Sequence, residues 1–216
     1  VIKFSAFTIK ILAAVFMVMD HVCYLLLPQL LILHLIGRLS FPLFAWLLAE
    51  GEKHTQNIYR YGSRLLIAAI ISQPIYTVVF KSFTLNILFT LLLGLGMLRL
   101  VNRCSQLWQK LTITGLCAIV AEILDFEYGA YGIGVILLMS QKDNLKPKVW
   151  LLYWCIFHLV LVVISRISLI QSYAVFSGFI VFQFNGKQGS RARWFYLFYP
   201  AHLIILGIIS YFISSR

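Results

Sequence analysis

The apolar positions of this chain run in blocks, with short polar breaks between them. KILAAVFMVMDHVCYLLL and LLILHLIGRLSFPLFAWLLAEG are the first two. A helix on the surface of a soluble domain shows one apolar stripe, whereas a helix solvated by lipid is apolar all round. The breaks predict nine spans, at about 4–27, 30–50, 64–80, 85–101, 109–124, 130–140, 149–165, 167–184 and 194–214. Several fall short of the ~20 residues of a straight crossing, so tilted or re-entrant pieces are expected among them. The expected fold class is all-α integral membrane: a polytopic bundle of about nine transmembrane helices. Polar sequence is too scarce for a separate soluble domain, and no internal repeat is visible, so residues 1–216 are read as a single domain. The first block carries Lys10 and Asp20 and lacks a small-residue cleavage site, so it reads as a retained span.

Composition agrees. Apolar residues make up 61% of the chain and charged residues 12%, about half the charged fraction of a water-soluble domain. The net charge of +11 would suggest nucleic acid in a soluble protein. Here it points to cytoplasmic loops and anionic headgroups, and no nucleic-acid partner is expected. With the N-terminus in the cytoplasm, the inside segments hold Lys3, then Lys53, Arg60 and Arg64, then Arg99, Arg103 and Lys110. Lys142, Lys146 and Lys148 follow, and finally Lys187, Arg191 and Arg193. Only Lys81, Arg166 and Arg216 fall outside, beside the acidic Asp125 and Glu127. That bias is what the positive-inside rule requires, and it places the C-terminus outside. None of the four cysteines forms a CxxC pair, so buried free thiols are expected, with neither a metal site nor a disulfide framework.

The two remaining cations, Lys10 and Arg38, lie inside apolar spans, where an ionisable group is a functional candidate. Lys10 and His21 are eleven residues apart, about three helical turns and roughly 16 Å along the axis, so they share a face. Ala13, Ala14 and Met17 lie between them, a small-residue stripe suited to lining a narrow tunnel. The plainer alternative has Lys10 snorkelling to the inner interface and His21 packing in the bundle. The connection at Pro28-Gln29 is tight, so the first two spans should be antiparallel neighbours. Arg38 and Asp20-His21 then sit at similar depth, and an Asp20–Arg38 pair avoids an isolated charge. Pro42 leaves the Arg38 carbonyl without its helical donor, so a kink is expected there. His202 falls near mid-membrane beside a proline, as a substrate-binding or a core histidine. Asn86 and Glu122 sit near outer span ends. Tyr196 and Tyr199 are packing aromatics or site residues. His158 reads as core, and His34 and His54 as interfacial. No Walker loop, HExxH, GxSxG or GxGxxG is present.

The stretches KILAAVFMVMDHV, IGRLSFPLFAWLLAEG, NILFTLLLG, YGAYGIGVILL, NGKQG and FYPAHLIILG, in this order and spacing, resemble the TraX family. Those membrane proteins are linked to N-acetylation of F-type conjugative pilin. The family is similar in turn to the membrane acyltransferase-three superfamily, whose first helix carries a basic residue, ten residues, then a histidine. Lys10-x10-His21 has that pattern, with Lys where many members have Arg.

The resemblance implies an acetyl-CoA-dependent acetyltransferase of the bacterial inner membrane. It would move an acetyl group from cytoplasmic acetyl-CoA to an acceptor at the outer side. A pilin N-terminal amine is favoured, or else an extracytoplasmic hydroxyl on a small molecule or glycan. His21 corresponds to the superfamily's essential histidine and Lys10 to its basic partner. Asp20, Gly37, Arg38, Pro42, Asn86, Gly132 and His202 match family motif positions. The expected catalytic set is His21, Asp20 and Arg38, with Arg38 or Asn86 as oxyanion donors. The expected donor-binding set is Lys10, Asn86, His202 and Tyr199, and no metal is expected. Two rival readings are a proton-coupled small-molecule transporter or flippase, and a non-enzymatic subunit of a secretion or pilus assembly.

Overall fold

The computed structural model describes residues 3–190 and 194–214, the last as backbone only. Arg191, Arg193 and Arg216 of the charge argument lie outside the described residues. Regular structure within them is helical, apart from two isolated bridges, Phe4 to Phe184 and Leu85 to Phe126. The helices are α1 (Ala6–Leu25), α2 (Leu31–Gly37), α3 (Ser40–His54), α4 (Ile58–Phe80), α5 (Ile87–Val101) and α6 (Leu107–Ile123). Then come α7 (Gly129–Ser140), α8 (Pro147–Val163), α9 (Leu169–Ser172), a 3-10 turn at Tyr173–Phe176, α10 (Ser177–Phe182) and α11 (Phe195–Ser214). Taking α2 with α3 and α9 with α10, nine helical segments among the described residues answer the nine apolar blocks. Four of them, Ala6–Leu25, Leu31–His54, Ile58–Phe80 and Phe195–Ile213, are long and apolar enough to cross a membrane.

Local chemistry sets the ends. Ser5 caps α1, its Oγ accepting the Thr8 N–H at 3.1 Å. Asn57 caps α4, its Oδ1 accepting the Arg60 N–H at 2.9 Å. Pro147 opens α8, where its missing N–H costs nothing. The second block breaks at Arg38-Leu39: α2 ends at Gly37, and Pro42 sits in the first turn of α3. At the expected kink the regular hydrogen bonding is interrupted for two residues, while Arg38 stays in right-handed helical geometry. The 51–63 segment differs from expectation. α3 runs on to His54 and α4 starts at Ile58, so the loop shrinks to 55–57. Glu50 and Glu52 are buried side chains of a continuing helix, not loop charges.

The chain divides into two compact units. The first comprises Val1–Leu47, Gln141–Ala192 and Ser210–Arg216. In it α1 packs on α2, and α9 on α2 and α8. Trp150, Trp154 and His158 form one buried face of α8. His158 Nδ1 donates to the Trp154 carbonyl at 2.9 Å, the core role its apolar setting predicts. The NGKQG stretch docks on the start of α1, with the Ala6 and Phe7 N–H groups donating to the Lys187 and Gln188 carbonyls. Gly189, at φ 74°, lies against Ser5 and Phe7, where a Cβ would come within 2.8 Å of both. Of the cysteines, Cys23 is buried but Cys155 is exposed, because its face of α8 lies opposite the tryptophans.

The second unit comprises Leu48–Ser140 and Arg193–Ile209. Its centre is α5, buried at Ile87, Leu91, Leu95 and Leu98, and packed on α4, α6 and α7. α7 is apolar on all sides and buried, whereas α6 buries only Ala121 and turns its other apolar side chains outward. At the far end of α3 the Glu52 carboxylate, 4% exposed, accepts from Arg99 Nη1 at 3.1 Å and from Asn102 Nδ2 at 2.9 Å. Arg99 is 42% exposed but the carboxylate is buried, so removing Arg99 strands a buried charge. Arg99→Ala should therefore lower the stability of the detergent-solubilised protein by about 2–4 kcal/mol. Adding Glu52→Gln should recover part of that loss in a thermal or denaturant melt.

Candidate active site

α1 is uninterrupted from Ala6 to Leu25, so Lys10 and His21 keep the shared face expected of them, and both are half-buried. The stripe between them is covered. Ala13 is fully buried, and the Ser40 hydroxyl donates to its carbonyl at 2.8 Å. In place of an open tunnel wall, Ala13, Ala14 and Met17 form a packed seam.

Next to His21 in sequence, Asp20 forms a largely buried pair with Arg38. Arg38 Nη2 reaches both Asp20 Oδ1 and Oδ2 at 2.7 Å. The two side chains are 17% and 16% exposed. Arg38 Nη1 donates to Gln171 Oε1 at 3.0 Å, which ties the α2–α3 break to α9. His34 adds its Nδ1 at 2.9 Å from Asp20 Oδ1. Charge-assisted bonds of this length are the strong ones, and here they join the consecutive α1 and α2 to the distant α9. Gly37 makes the approach possible. A Cβ there would stand 2.4 Å from Asp20 Cβ and 2.6 Å from its Oδ1. His34 lies four residues before Arg38 on the same helix face, so its partnership was legible from spacing. Gln171 carried no such signal.

The other site candidates fall in the second unit. Asn86 caps α5 with its Oδ1 on the Leu88 N–H at 3.0 Å. Its Nδ2 donates to the Ala69 carbonyl and to Gln73 Oε1, at 3.0 and 2.8 Å. Glu127 Oε2 accepts the Ile87 N–H at 2.8 Å, a carboxylate at a helix N-terminus where the dipole favours it. Tyr199 is buried, with Glu127, Tyr76 and Tyr128 among its electrostatic neighbours. His202 is buried one turn on, in edge contact with the Tyr199 ring, and its Nδ1 donates to the Phe198 carbonyl at 2.9 Å. The structure thus gathers Asp20, Arg38 and the neighbouring His21 in one unit, with Lys10 three turns away. It places Asn86, Tyr199 and His202 in the other.

Comparison with known proteins adds the identity of this arrangement. The model of the family described as TraX protein matches residues 5–210, a stretch that includes every candidate site residue. The chain belongs to the TraX family. A probable fimbrial assembly protein, FimC of serogroup H1, from Dichelobacter nodosus is 30% identical across 95% of this chain and 95% of its own. An uncharacterized protein of Rickettsia prowazekii (strain Madrid E) is 29% identical across 64% of this chain and 57% of its own. No solved structure matches. Within this TraX chain, the buried ion pair sits directly beside the histidine of the Lys10-x10-His21 pattern.

Two outcomes follow from that geometry. Asp20→Asn and Arg38→Gln should each cost about 3–5 kcal/mol, because each leaves an uncompensated buried charge. The double variant should regain folded yield, and strictly additive losses in the cycle would argue against the contact. Gly37→Ala should separate α1 from α2 and cost about 1–3 kcal/mol, whereas Gly96→Ala, which meets nothing within 4 Å, should fold as well as the parent. Thermal melts of the five purified variants check both.

Proposed function

We propose that this chain is an acetyl-CoA-dependent membrane acetyltransferase. It takes the acetyl group from a cytoplasmic donor and delivers it to an acceptor at the outer side. The observation that carries the reading is the single unbroken helix bearing Lys10 and His21, with Asp20, next to the histidine in sequence, paired to Arg38. Family membership and the fimbrial assembly relative support a pilus-related role, so a pilin amino terminus is the favoured acceptor. The topology that goes with it is nine spans in the bacterial inner membrane, N-terminus in the cytoplasm and C-terminus outside, with the basic loops facing the donor.

The donor's phosphates meet the basic inner face, and Lys10 contacts them near the entrance. The extended pantetheine arm spans the three turns to His21, which requires Ser40 to move off the Ala13 seam. His21 takes a proton from the attacking nitrogen or oxygen and passes it to the departing thiolate sulfur. A transient acetyl-His21 is the variant of this path. Arg38 stabilises the developing oxyanion while Asp20 holds it in place. A proton-coupled carrier is the second reading, favoured by Pro74 and Pro200 inside two of the long spans. It demands solute flux with no acetyl-CoA present.

Transfer from radiolabelled acetyl-CoA to an amine acceptor, measured against donor concentration in nanodiscs, tests the proposal. His21→Ala should lower turnover by about 10²–10⁴ while leaving the protein folded. Lys10→Ala should raise KM for acetyl-CoA more than it lowers kcat, since a phosphate contact is made in ground and transition states alike. Near-normal turnover of His21→Ala would sink the mechanism. Absence of transfer by wild type would favour the carrier or the assembly subunit.

A further inference from the structure

Trp46 is 1% exposed, and its indole Nε1–H meets no acceptor among the described residues. A buried N–H is ordinarily paired, so one left over asks for an acceptor from outside the chain. The Trp46 ring packs edge-on against Phe184, with centroids 4.7 Å apart. Lys142 Nζ stands 5.9 Å from the centroid of the same Phe184 ring, on a side chain only 13% exposed. Its polar partner is Asp143 Oδ1 at 3.0 Å, on a side chain that is 44% exposed. An ammonium carries three hydrogens, so that pair leaves Lys142 further capacity to donate. Trp46, Phe184 and Lys142 all belong to the first unit.

The contacts along α1 fix where this cluster lies. Asp20 meets Arg38, the Ala13 carbonyl meets Ser40, and Phe4 bridges to Phe184 beside Trp46. α3 therefore runs against α1 toward its Ser5 end, which the charge bias assigns to the cytoplasm. Lys10 falls between the Ala13 seam and that end. An indole N–H can only donate, so a ligand must present an acceptor to it. The neighbouring ammonium makes an anionic acceptor the better fit. A phosphate ester offers several anionic oxygens in more directions than a planar carboxylate does.

We infer that Trp46 Nε1 and Lys142 hold the oxygens of a phosphate ester at the inner end of the first unit. The source of the phosphate rests on the acetyltransferase reading, under which it is the diphosphate of acetyl-CoA. An anionic lipid headgroup carries the same chemistry. With the phosphates held here, Lys10 is the next cation along α1 on the way to His21.

The test measures binding to the intact protein in phosphatidylcholine nanodiscs by titration calorimetry, with coenzyme A and with pantetheine, which has no phosphate. Trp46→Phe keeps an aromatic ring against Phe184 and deletes the N–H, and Lys142→Gln deletes the charge. Each should weaken coenzyme A binding by about 10-fold or more and leave pantetheine unchanged. Equal losses with both ligands overturn the phosphate role. A second arm counts the phosphatidylglycerol retained by each protein in native mass spectra. Less retained lipid in both variants, with coenzyme A binding unchanged, supports the phosphate site and gives it to a lipid. No change in either arm overturns the site. A wild type that binds no coenzyme A contradicts the acetyltransferase reading, and the lipid arm then decides the site by itself. Should Trp46→Phe not fold, Lys142→Gln against Lys142→Arg decides. A coenzyme A loss confined to the Gln variant supports the site, and parity of both with wild type overturns it.

Discussion

An aspartate and an arginine buried among apolar helices must meet, and most of the first unit is arranged so that they do. Each alone would cost several kcal/mol in such a setting. Together, at 2.7 Å and with Gln171 and His34 as further partners, they hold α1, α2 and α9 in fixed relation. The backbone is shaped around the pair. Gly37 removes the one Cβ that would block it. The regular helical hydrogen bonding is interrupted at Arg38-Leu39, with Arg38 still in right-handed helical geometry, and Pro42 sits in the first turn of α3, where a missing N–H does no harm. His21 inherits its position from this clamp, since it follows Asp20 on a helix that the clamp fixes.

Much of this was legible in the sequence because it rests on local arithmetic. Apolar blocks gave the helical segments, and the tight Pro28-Gln29 turn put Asp20 and Arg38 at equal depth. Pro42 located the break. Other features were hidden for physical reasons. Gln171 reaches Arg38 from a four-residue helix 133 positions away, and no periodicity announces a tertiary partner. His34 was read as interfacial although its spacing to Arg38 was informative. The burial of Glu50 and Glu52, beside Gly51 and Lys53, carried no signal in the sequence. They are buried because Lys53, Arg99 and Asn102 satisfy them within a helix that continues. The seam at Ala13 shows the limit of face arguments: small residues mark a close approach, and what approaches is decided by the fold.

The second unit pairs most of its buried polar groups away from water, with Arg99 Nε an exception among the described residues. Asn86, Gln73 and Glu127 supply the donors and acceptors that the start of α5 lacks, and the Leu85–Phe126 bridge ties that end to the α6–α7 connection. This hub gives Asn86 a duty that is complete in itself. Tyr199 and His202 lie on α11 around the helix-interior Pro200, where the backbone is one hydrogen bond short.

The central claim is that an acetyl group crosses from one side of the membrane to the other through this chain. It is met most directly with sealed proteoliposomes loaded with acetyl-CoA, an impermeant amine-bearing peptide outside, and only those molecules counted whose cytoplasmic loops face the lumen. The account predicts acetylated peptide in the outer medium that depends on acetyl-CoA inside. Acetylation only when donor and peptide share a compartment, or none in either arrangement, would contradict it.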